Sequence, residues 1–277
     1  MINIIKTMIL FMVLIISGCT SSKALYTVDL TPESSNGIAI INILDTTTFY
    51  SDLVTGYGFT SVIRTPELNI LVDTGDYDMD NPDEIILGNM KKIGISPKEI
   101  DIVFISHWHK AKGLKGFMEA NPDASVYAPL EDYDADRFKD AEIDYQIIDE
   151  QWAPLSENIF STGSVYSKSS AVYEQSLVIE TEEGLIAIVS CAHPGIVEVA
   201  NRIQNQFPDK DISLLMGGFH LSSISRDELP GILSELVAMG VEYMAPSHCS
   251  GAPFKDLAKE QYGDKYIDGG AGLTILF

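Results

Sequence analysis

Basic residues are scarce in this chain of 277 residues. It contains 18 lysines and arginines against 40 aspartates and glutamates, which gives a formal net charge of −22. Proteins that bind nucleic acid neutralise phosphates with basic patches, so the composition argues against DNA or RNA as a partner. The same imbalance indicates a solvated, acidic surface that keeps the protein in solution.

Long apolar runs are also missing. The run over residues 8–16 is too short for a mature transmembrane helix, which needs about 20 residues, but it is typical of an export signal. The sequence ISGC at 16–19 resembles the lipobox of bacterial lipoproteins, in which cleavage leaves the cysteine as the lipidated first residue. We therefore predict a signal peptide over 1–18, a lipid on Cys19, a tether over 19–36 and a location in the bacterial cell envelope, outside the cytoplasm. An ordinary signal peptide with an incidental cysteine is the alternative.

Cysteine is also rare in this chain. Besides Cys19 the chain has only Cys191 and Cys249, and each lies within two residues of a histidine, in CAHPG and SHCSG. In an exported chain the two can form a disulfide. Two free thiols beside a functional site are the alternative, and the spacing does not decide between them.

No linker or repeat divides the chain after the tether. Short β-rich segments come first, and strands then alternate with helical patterns such as those over 194–207 and 226–240. Strands paired in early hairpins, followed by strands alternating with helices, predict two packed sheets covered by helices. We therefore predict a single α/β domain over 37–277.

Histidine occurs five times, and each histidine lies just beyond a predicted strand. A histidine that only packs in a core has no reason to choose a strand end every time. Ligand and catalytic groups do gather there, because strands end at a fixed rim and the following loops turn inward. The sequence therefore predicts one shared site built from His107, His109, His193, His220 and His248.

Two of these histidines are separated by one residue, in VFISHWH. In an extended segment His107 and His109 point the same way. Joined by a third imidazole from a distant loop, they can hold zinc through three nitrogens, with a fourth position open to water. Water bound in this way loses its proton near pH ~7, which supplies a nucleophile at neutral pH.

Five segments resemble, in order and spacing, the motifs of the metallo-β-lactamase fold superfamily. They fall within residues 37–277 and read LVDTG, SHWHKAKGLKG, SCAHPGI, GGFHL and SHCSG. The later segments further resemble a branch named for dihydropterin-ribofuranosylaminobenzene-phosphate synthase. The resemblance implies a four-layer αββα sandwich with a metal cleft along one edge.

The resemblance also implies the metal ligands. His107, His109 and His193 fall on the family's three-imidazole metal site. The family motif His-x-His-x-Asp-His ends with two ligands of a second metal, and Ala111 and Lys112 occupy those two positions here. We therefore expect one divalent metal, zinc, with manganese and iron as alternatives.

Further roles follow from the same resemblance. Asp73 is expected to buttress the histidine loops instead of binding metal. His248 or His220 is expected to move a proton, and His220 is also a candidate ligand. Cys249, as a thiolate beside His248, is a further candidate ligand for a soft metal.

Three lysines follow the histidine pair closely. Lys112 is expected to point into the cleft, where a fixed ammonium can orient an anionic group of a substrate. Lys110 and Lys115 are expected to lie in solvent at the start of a helix.

Two functional hypotheses result. The first is an exported, membrane-anchored enzyme that carries out metal-assisted hydrolysis or group transfer on a small anionic molecule. The second is a catalytically degenerate descendant that binds a ligand or a metal ion. The three histidines favour the enzyme, and the replacements at 111 and 112 favour the binder. The dihydropterin reaction itself is disfavoured, because it needs a cytoplasmic pathway and an intact two-metal motif.

Overall fold

Two large sheets and the helices that cover them make up the fold. The structure is a computed structural model that describes residues 26–30, 37–138, 140 and 142–277. The predicted signal peptide and Cys19 lie outside these residues, so both stay predictions.

From Gly184 onward the described strands alternate with helices, as the sequence patterns indicate. The strands are β1 (Tyr26–Asp29), β2 (Ala39–Leu44), β3 (Thr60–Arg64), β4 (Asn69–Val72), β5 (Ile102–Phe104), β6 (Ser125–Pro129), β7 (Tyr145–Ile148), β8 (Ala153–Pro154), β9 (Ile159–Ser161), β10 (Val165–Ser167), β11 (Val172–Glu174), β12 (Leu177–Thr181), β13 (Gly184–Val189), β14 (Ile212–Gly218), β15 (Tyr243–Ser247) and β16 (Leu273–Leu276). The α-helices are α1 (Pro82–Ile93), α2 (Leu114–Ala120), α3 (Ala135–Phe138), α4 (Ile196–Gln206), α5 (Leu229–Ala238) and α6 (Ala252–Tyr262).

The strands form two large sheets and a small hairpin. The first sheet has the order β1-β16-β2-β3-β4-β5-β6-β7, and the second has the order β15-β14-β13-β12-β9-β8. The strands β10 and β11 pair separately as an antiparallel hairpin.

Three apolar layers hold the sheets and helices together. Phe104 and Met216 belong to the layer between the two sheets. Phe117 lies between the first sheet and the helices α1 and α2, and Phe254 lies between the second sheet and the helices α4 to α6. The predicted four-layer αββα sandwich is thereby confirmed. Among the described residues, the helices are all too short or too polar to cross a membrane.

The helix α1 shows why these sequences form these elements. Pro82 stands in its first turn, where its missing N–H and fixed φ are tolerated. Acidic side chains lie in the first turn and basic ones in the last, which complements the helix dipole. Gly94 ends the helix with φ 91°, a conformation that glycine adopts without strain.

The strand β1 corrects the predicted start of the domain. It lies within the segment expected to be a tether, and it pairs in parallel with β16 from Tyr26 opposite Leu273 to Asp29 opposite Leu276. Val28 packs against the apolar layer between the sheets. The sheet therefore begins at Tyr26 and not at residue 37.

Parallel strands at the centre of each sheet position the site. The strands β4, β5 and β6 run parallel in the first sheet, and β13, β14 and β15 do so in the second. Their carboxyl ends share one edge of the sandwich, and the loops that carry all five histidines start there.

Candidate metal centre

Three imidazoles converge at this edge. His107 follows β5, His109 lies in a 3₁₀ turn over Trp108–Lys110, and His193 follows β13. One ring nitrogen of each lies within 4.8 Å of those of the other two. The ring centroid of His107 is 5.2 Å from that of His109 and 4.7 Å from that of His193. The structure thus brings together the three residues that the sequence assigned to one metal.

A hydrogen-bonded chain fixes the tautomer of His107. Ser106 Oγ is 2.8 Å from His107 Nδ1 and 2.9 Å from Asp73 Oδ2. When Asp73 is ionised, its carboxylate only accepts, so the hydroxyl donates to Asp73 and accepts from the N–H at Nδ1. The lone pair therefore lies on His107 Nε2, a buried atom with no hydrogen-bond partner among the described residues. Asp73 thus lies behind the histidine loop, where the sequence analysis placed it.

Two further carboxylates hold the other rings. His109 Nε2 lies 2.7 Å from Asp134 Oδ2, and His193 Nδ1 lies 2.8 Å from Glu174 Oε2. Each carboxylate accepts the ring N–H, so the lone pair lies on Nδ1 of His109 and on Nε2 of His193. Glu174 also accepts the backbone N–H groups of residues 191–193.

The charges of the site favour metal binding. Burial, together with the neighbouring rings, lowers the pKa of His107 well below its ordinary value. Burial alone would raise the pKa of Glu174, but His193 and the N–H donors hold it below its ordinary value. Burial raises the pKa of Asp73 to about 7. Three imidazoles, each oriented through its other nitrogen, are a donor set that suits a divalent metal such as zinc.

A second group of ligand-type side chains lies beside the first. The ligand atoms of Cys191, His248 and Cys249 are within 4.8 Å of one another, and all three side chains are buried. Cys191 Sγ lies 3.3 Å from His248 Nε2. Both cysteines are free, which decides between the two alternatives that the sequence left open. The hydrogen bond from the Cys191 thiol lowers the pKa of Cys249, and burial raises that of Cys191.

His220 lies between the two groups. Its ring centroid is 4.6 Å from that of His193, and its backbone N–H lies 3.3 Å from Cys249 Sγ. Hydrogen bonding to Cys249 raises the pKa of His220 above its ordinary value. Of the two predicted proton carriers, His220 is half-buried beside His193, whereas His248 is buried against the thiol of Cys191.

Comparison with known proteins identifies the fold family. The family model of the metallo-beta-lactamase superfamily matches residues 53–155, a range that contains His107 and His109. A solved metal-dependent hydrolase of the beta-lactamase superfamily, Tm1679, has a TM-score of 0.66 and 24% identity over 86% of this chain and 98% of that one. The chain has the metallo-β-lactamase fold.

Two further proteins are similar to this chain. The metallo-β-lactamase fold protein YhfI of Bacillus subtilis has a TM-score of 0.58 and 11% identity, over 86% of this chain and 98% of that one. The 7,8-dihydropterin-6-methyl-4-(β-D-ribofuranosyl)-aminobenzene-5′-phosphate synthase of Methanocaldococcus jannaschii is 25% identical over 252 residues, which cover 75% of this chain and 84% of that protein. The predicted resemblance to the superfamily and to the dihydropterin synthase is therefore confirmed.

The lysines of this metallo-β-lactamase-fold chain differ from the prediction. Lys112 is exposed, and its ammonium donates to the backbone carbonyls of Tyr77 and Met79. Lys110 is instead fully buried and forms an ion pair with Asp76.

The 3₁₀ turn explains the difference between the two lysines. The N–H of Lys110 donates to the carbonyl of His107, and residues three apart lie on the same side of such a turn. Burial alone would lower the pKa of Lys110, but Cys191 and Asp76 hold it above its ordinary value. The expectations of an inward Lys112 and a solvated Lys110 are therefore both wrong. Lys115 is exposed, as expected, with an ion pair to Asp140.

The sequence analysis missed the carboxylates behind two rings. Asp134 and Glu174 are two of 40 acidic residues, and no local motif distinguishes them from the others. A usable signal exists for Glu174, because it is the last residue of β11 and strand ends already marked the histidines. Asp134 lies next to the short helix α3 and offers no comparable signal.

Proposed function

We propose that this chain is an enzyme of metal-assisted hydrolysis or group transfer that uses one divalent ion, zinc, bound by His107, His109 and His193. The observation that carries the proposal is His107 Nε2, which is buried without a hydrogen-bond partner among the described residues. Leaving such a nitrogen without a partner costs about 1–3 kcal/mol. One ring nitrogen each of His109 and His193 lies within 4.8 Å of a ring nitrogen of His107, so a cation bound by the three rings removes this cost.

The residues around the ion have separate tasks in this proposal. A divalent ion held there supplies a Lewis acid and lowers the pKa of a water molecule to about 7. The three imidazoles bind it, and Asp73, Asp134 and Glu174 keep the rings in the tautomers that can bind. His220 lies beside His193 and takes or gives a proton, because imidazole is the side chain that most readily does both near neutral pH.

The proposed substrate is a small molecule that carries a phosphate or carboxylate group. Lys112 no longer supports it, since its ammonium is bound to backbone carbonyls at the surface. The support comes from the bound cation and from His220, which offer positive charge in an otherwise acidic chain. The name of the M. jannaschii relative describes a product with a 5′-phosphate, which agrees with this class of substrate.

The proposed location is the outer side of a bacterial membrane, with a lipid on Cys19. The support is the apolar run over 8–16 and the ISGC sequence that follows it. Membrane fractionation of the full chain and of a Cys19→Ser variant tests this part. We expect the wild-type chain in the membrane fraction and the variant released from it; release of both would contradict the anchor.

The first experiment on function is metal analysis followed by a substrate panel. The chain from Ser21 onward is purified without chelator beside His193→Ala and a surface control, Lys115→Ala. We expect metal in the wild type and in Lys115→Ala, and its loss from the three-imidazole site in His193→Ala. The same three proteins are then assayed on phosphoesters and lactones with added zinc, manganese or iron.

The assay separates the two functional hypotheses. A metal-dependent rate that His193→Ala abolishes and Lys115→Ala preserves supports the enzyme. Retained metal with no rate on any substrate of the panel would instead favour a binding protein, and absence of metal after reloading would overturn the metal centre itself.

A further inference from the structure

Cys191, His248 and Cys249 form a cluster that the proposed activity does not use. We propose that these three side chains bind a second metal ion, zinc, through two thiolates and one imidazole. The site shares no ligand with the three-imidazole centre. It therefore does not depend on the proposed function and can exist in a chain that catalyses nothing.

The donor atoms already lie at suitable distances from one another. All three are within 4.8 Å of each other, and Cys191 Sγ is 3.3 Å from His248 Nε2. Around a tetrahedral zinc ion with Zn–S of about 2.3 Å and Zn–N of about 2.0 Å, a sulfur and a nitrogen lie about 3.5 Å apart. Binding therefore requires little movement of the side chains.

The backbone brings these donors together from two strand ends. Cys191 follows β13, whereas His248 and Cys249 open a 3₁₀ turn directly after β15. Gly218, at the end of β14, lies against the side chains of His248 and Cys249. A Cβ at this position would be 2.3 Å from His248 Cε1 and 2.6 Å from Cys249 Sγ. Glycine at this position leaves the room in which the ring and the thiol meet.

The imidazole of His248 is buried with few polar partners. His248 is only 7% exposed, and its Nδ1 has no hydrogen-bond partner among the described residues. The other ring nitrogen, Nε2, lies 3.3 Å from the thiol of Cys191 and is the atom that would bind the ion. Burying an imidazole with so few partners is costly, and packing alone does not explain why two unbridged thiols surround it.

The chemistry of the donors selects the ion. Thiolates favour zinc or cuprous copper over magnesium, calcium or manganese, and none of the three ligands is a carboxylate. The backbone N–H of His220 lies 3.3 Å from Cys249 Sγ and stabilises negative charge there. The buried ammonium of Lys110 interacts with the charge of Cys191 and offsets the second thiolate.

The site also explains how a second metal can persist after two of its three usual ligands are gone, since His248 holds the third position. The family motif would supply two ligands at positions 111 and 112, but Ala111 has no ligand atom and Lys112 is turned to the surface. The proposed ligands come from different loops and use sulfur in place of the lost carboxylate and imidazole.

Cobalt substitution tests the proposal without an activity assay. The full chain carries Cys19→Ser, so that Cys191 and Cys249 are its only thiols, and is loaded with cobalt(II) beside the additional variants Cys249→Ser and His193→Ala. We expect two cobalt ions per chain and an intense near-ultraviolet thiolate-to-cobalt band. Cys249→Ser loses one ion and most of the band, whereas His193→Ala loses one ion and keeps the band.

The parent protein, which carries only Cys19→Ser, can by itself overturn the proposal. A single bound ion without a thiolate-to-cobalt band, in protein whose two thiols titrate as reduced after unfolding, would overturn the proposal even if a variant failed to fold. Two ions with a band that His193→Ala removes would also overturn it, because the sulfur would then belong to the three-imidazole centre. A parent protein that shows the band but has no metal-dependent rate on any substrate of the panel would refute the proposed function and leave this site standing.

Discussion

At the scale of single residues, the side chains behind the imidazoles decide which nitrogen can bind a metal. Ser106 links Asp73 to His107, because its hydroxyl donates to the carboxylate of Asp73 and accepts from the N–H of the His107 ring. A neutral imidazole has only one lone pair. The position of that lone pair therefore depends on the acceptor two hydrogen bonds away.

Substituting Asp73→Asn should weaken metal binding without removing a ligand. The amide can donate to Ser106, whose hydroxyl then donates to His107 Nδ1 and moves the ring proton to Nε2, the ligand atom. Loss of such a supporting partner typically costs about 10–100-fold in metal affinity. Competition with a chromophoric chelator above pH 7, where Asp73 is ionised, measures the change. The exposed Asp136→Asn serves as the control, and equal affinities for the two variants would contradict the tautomer argument.

The same aspartate should give the metal-free protein a distinctive pH dependence. Burial raises the pKa of Asp73 from the ordinary 3.8 to about 7, so the native state binds this proton more tightly than the unfolded chain. Its stabilising contribution is fully present below pH 3.8 and is lost as the pH rises to about 7, with a slope of about 1.4 kcal/mol per pH unit. The difference in the free energy of unfolding between the wild type and Asp73→Asn, measured by denaturation across this pH range, isolates the contribution of Asp73. A constant difference between wild type and variant across that window would show that the pKa is not raised.

The lysine pair shows where a sequence motif fails at this scale. The family motif assigns Lys112 to the cleft, but the 3₁₀ turn carries Lys110 inward instead, onto Asp76. Spacing along a motif predicts the side of the chain only when the backbone conformation is known. The ligands could be predicted because His107 itself is extended, as the sequence analysis assumed.

Replacing the buried lysine should destabilise the protein far more than replacing the exposed one. Lys110→Met leaves Asp76 buried without its partner, a change that costs about 3–5 kcal/mol. Lys112→Met removes hydrogen bonds at the surface and should cost about 1 kcal/mol or less. Urea denaturation compares them, and adding Asp76→Asn to Lys110→Met should recover part of the loss. Similar free energies of unfolding for the two single variants would contradict the conclusion that Lys110 is buried against Asp76 while Lys112 lies at the surface.

At the scale of elements, the ends of parallel strands were the most informative feature of the sequence. Each histidine could be assigned to a strand end, because the strands before them are apolar enough to be recognised. Glu174 also ends a strand, β11, but that strand has only three residues and does not stand out from the turn-rich sequence around it. The edge strand β1 was missed for a related reason, since three of its four residues are exposed and its partner lies at the other end of the chain.

Removing β1 should expose a strand edge. A chain that starts at Gly37 loses the pairing of Tyr26–Asp29 with β16 and the packing of Val28 and Leu30 on the core. Partial burial of two aliphatic side chains is worth about 1–3 kcal/mol, and an open apolar edge promotes association. Light scattering and denaturation, with a chain that starts at Lys23 as the control, measure both effects. Two equally stable and monomeric chains would show that β1 contributes nothing to the sheet.

At the scale of the whole molecule, alternating apolar segments were sufficient to predict the layers but not the order of the strands. The three apolar layers follow from local patterns, because each strand or helix must bury its apolar face. The position of β16 between β1 and β2 joins the two ends of the chain. No local pattern encodes such a pairing, since it depends on the packing of the complete sandwich.

Removal of the metal should therefore loosen the whole molecule, because the ligands come from both halves of the sandwich. His107 follows a strand of the first sheet and His193 follows one of the second, so a bound ion links the two sheets at the open edge. A metal present at 100 times its Kd stabilises the native state by about 2.7 kcal/mol, which corresponds to about 5–10 °C in Tm for a domain of this size. Calorimetry of the wild-type protein before and after chelation measures the shift. In His193→Ala the chelator should cause a clearly smaller shift, limited to any ion held by the cysteine cluster, and equal shifts in the two proteins would show that the three imidazoles do not link the sheets through a metal.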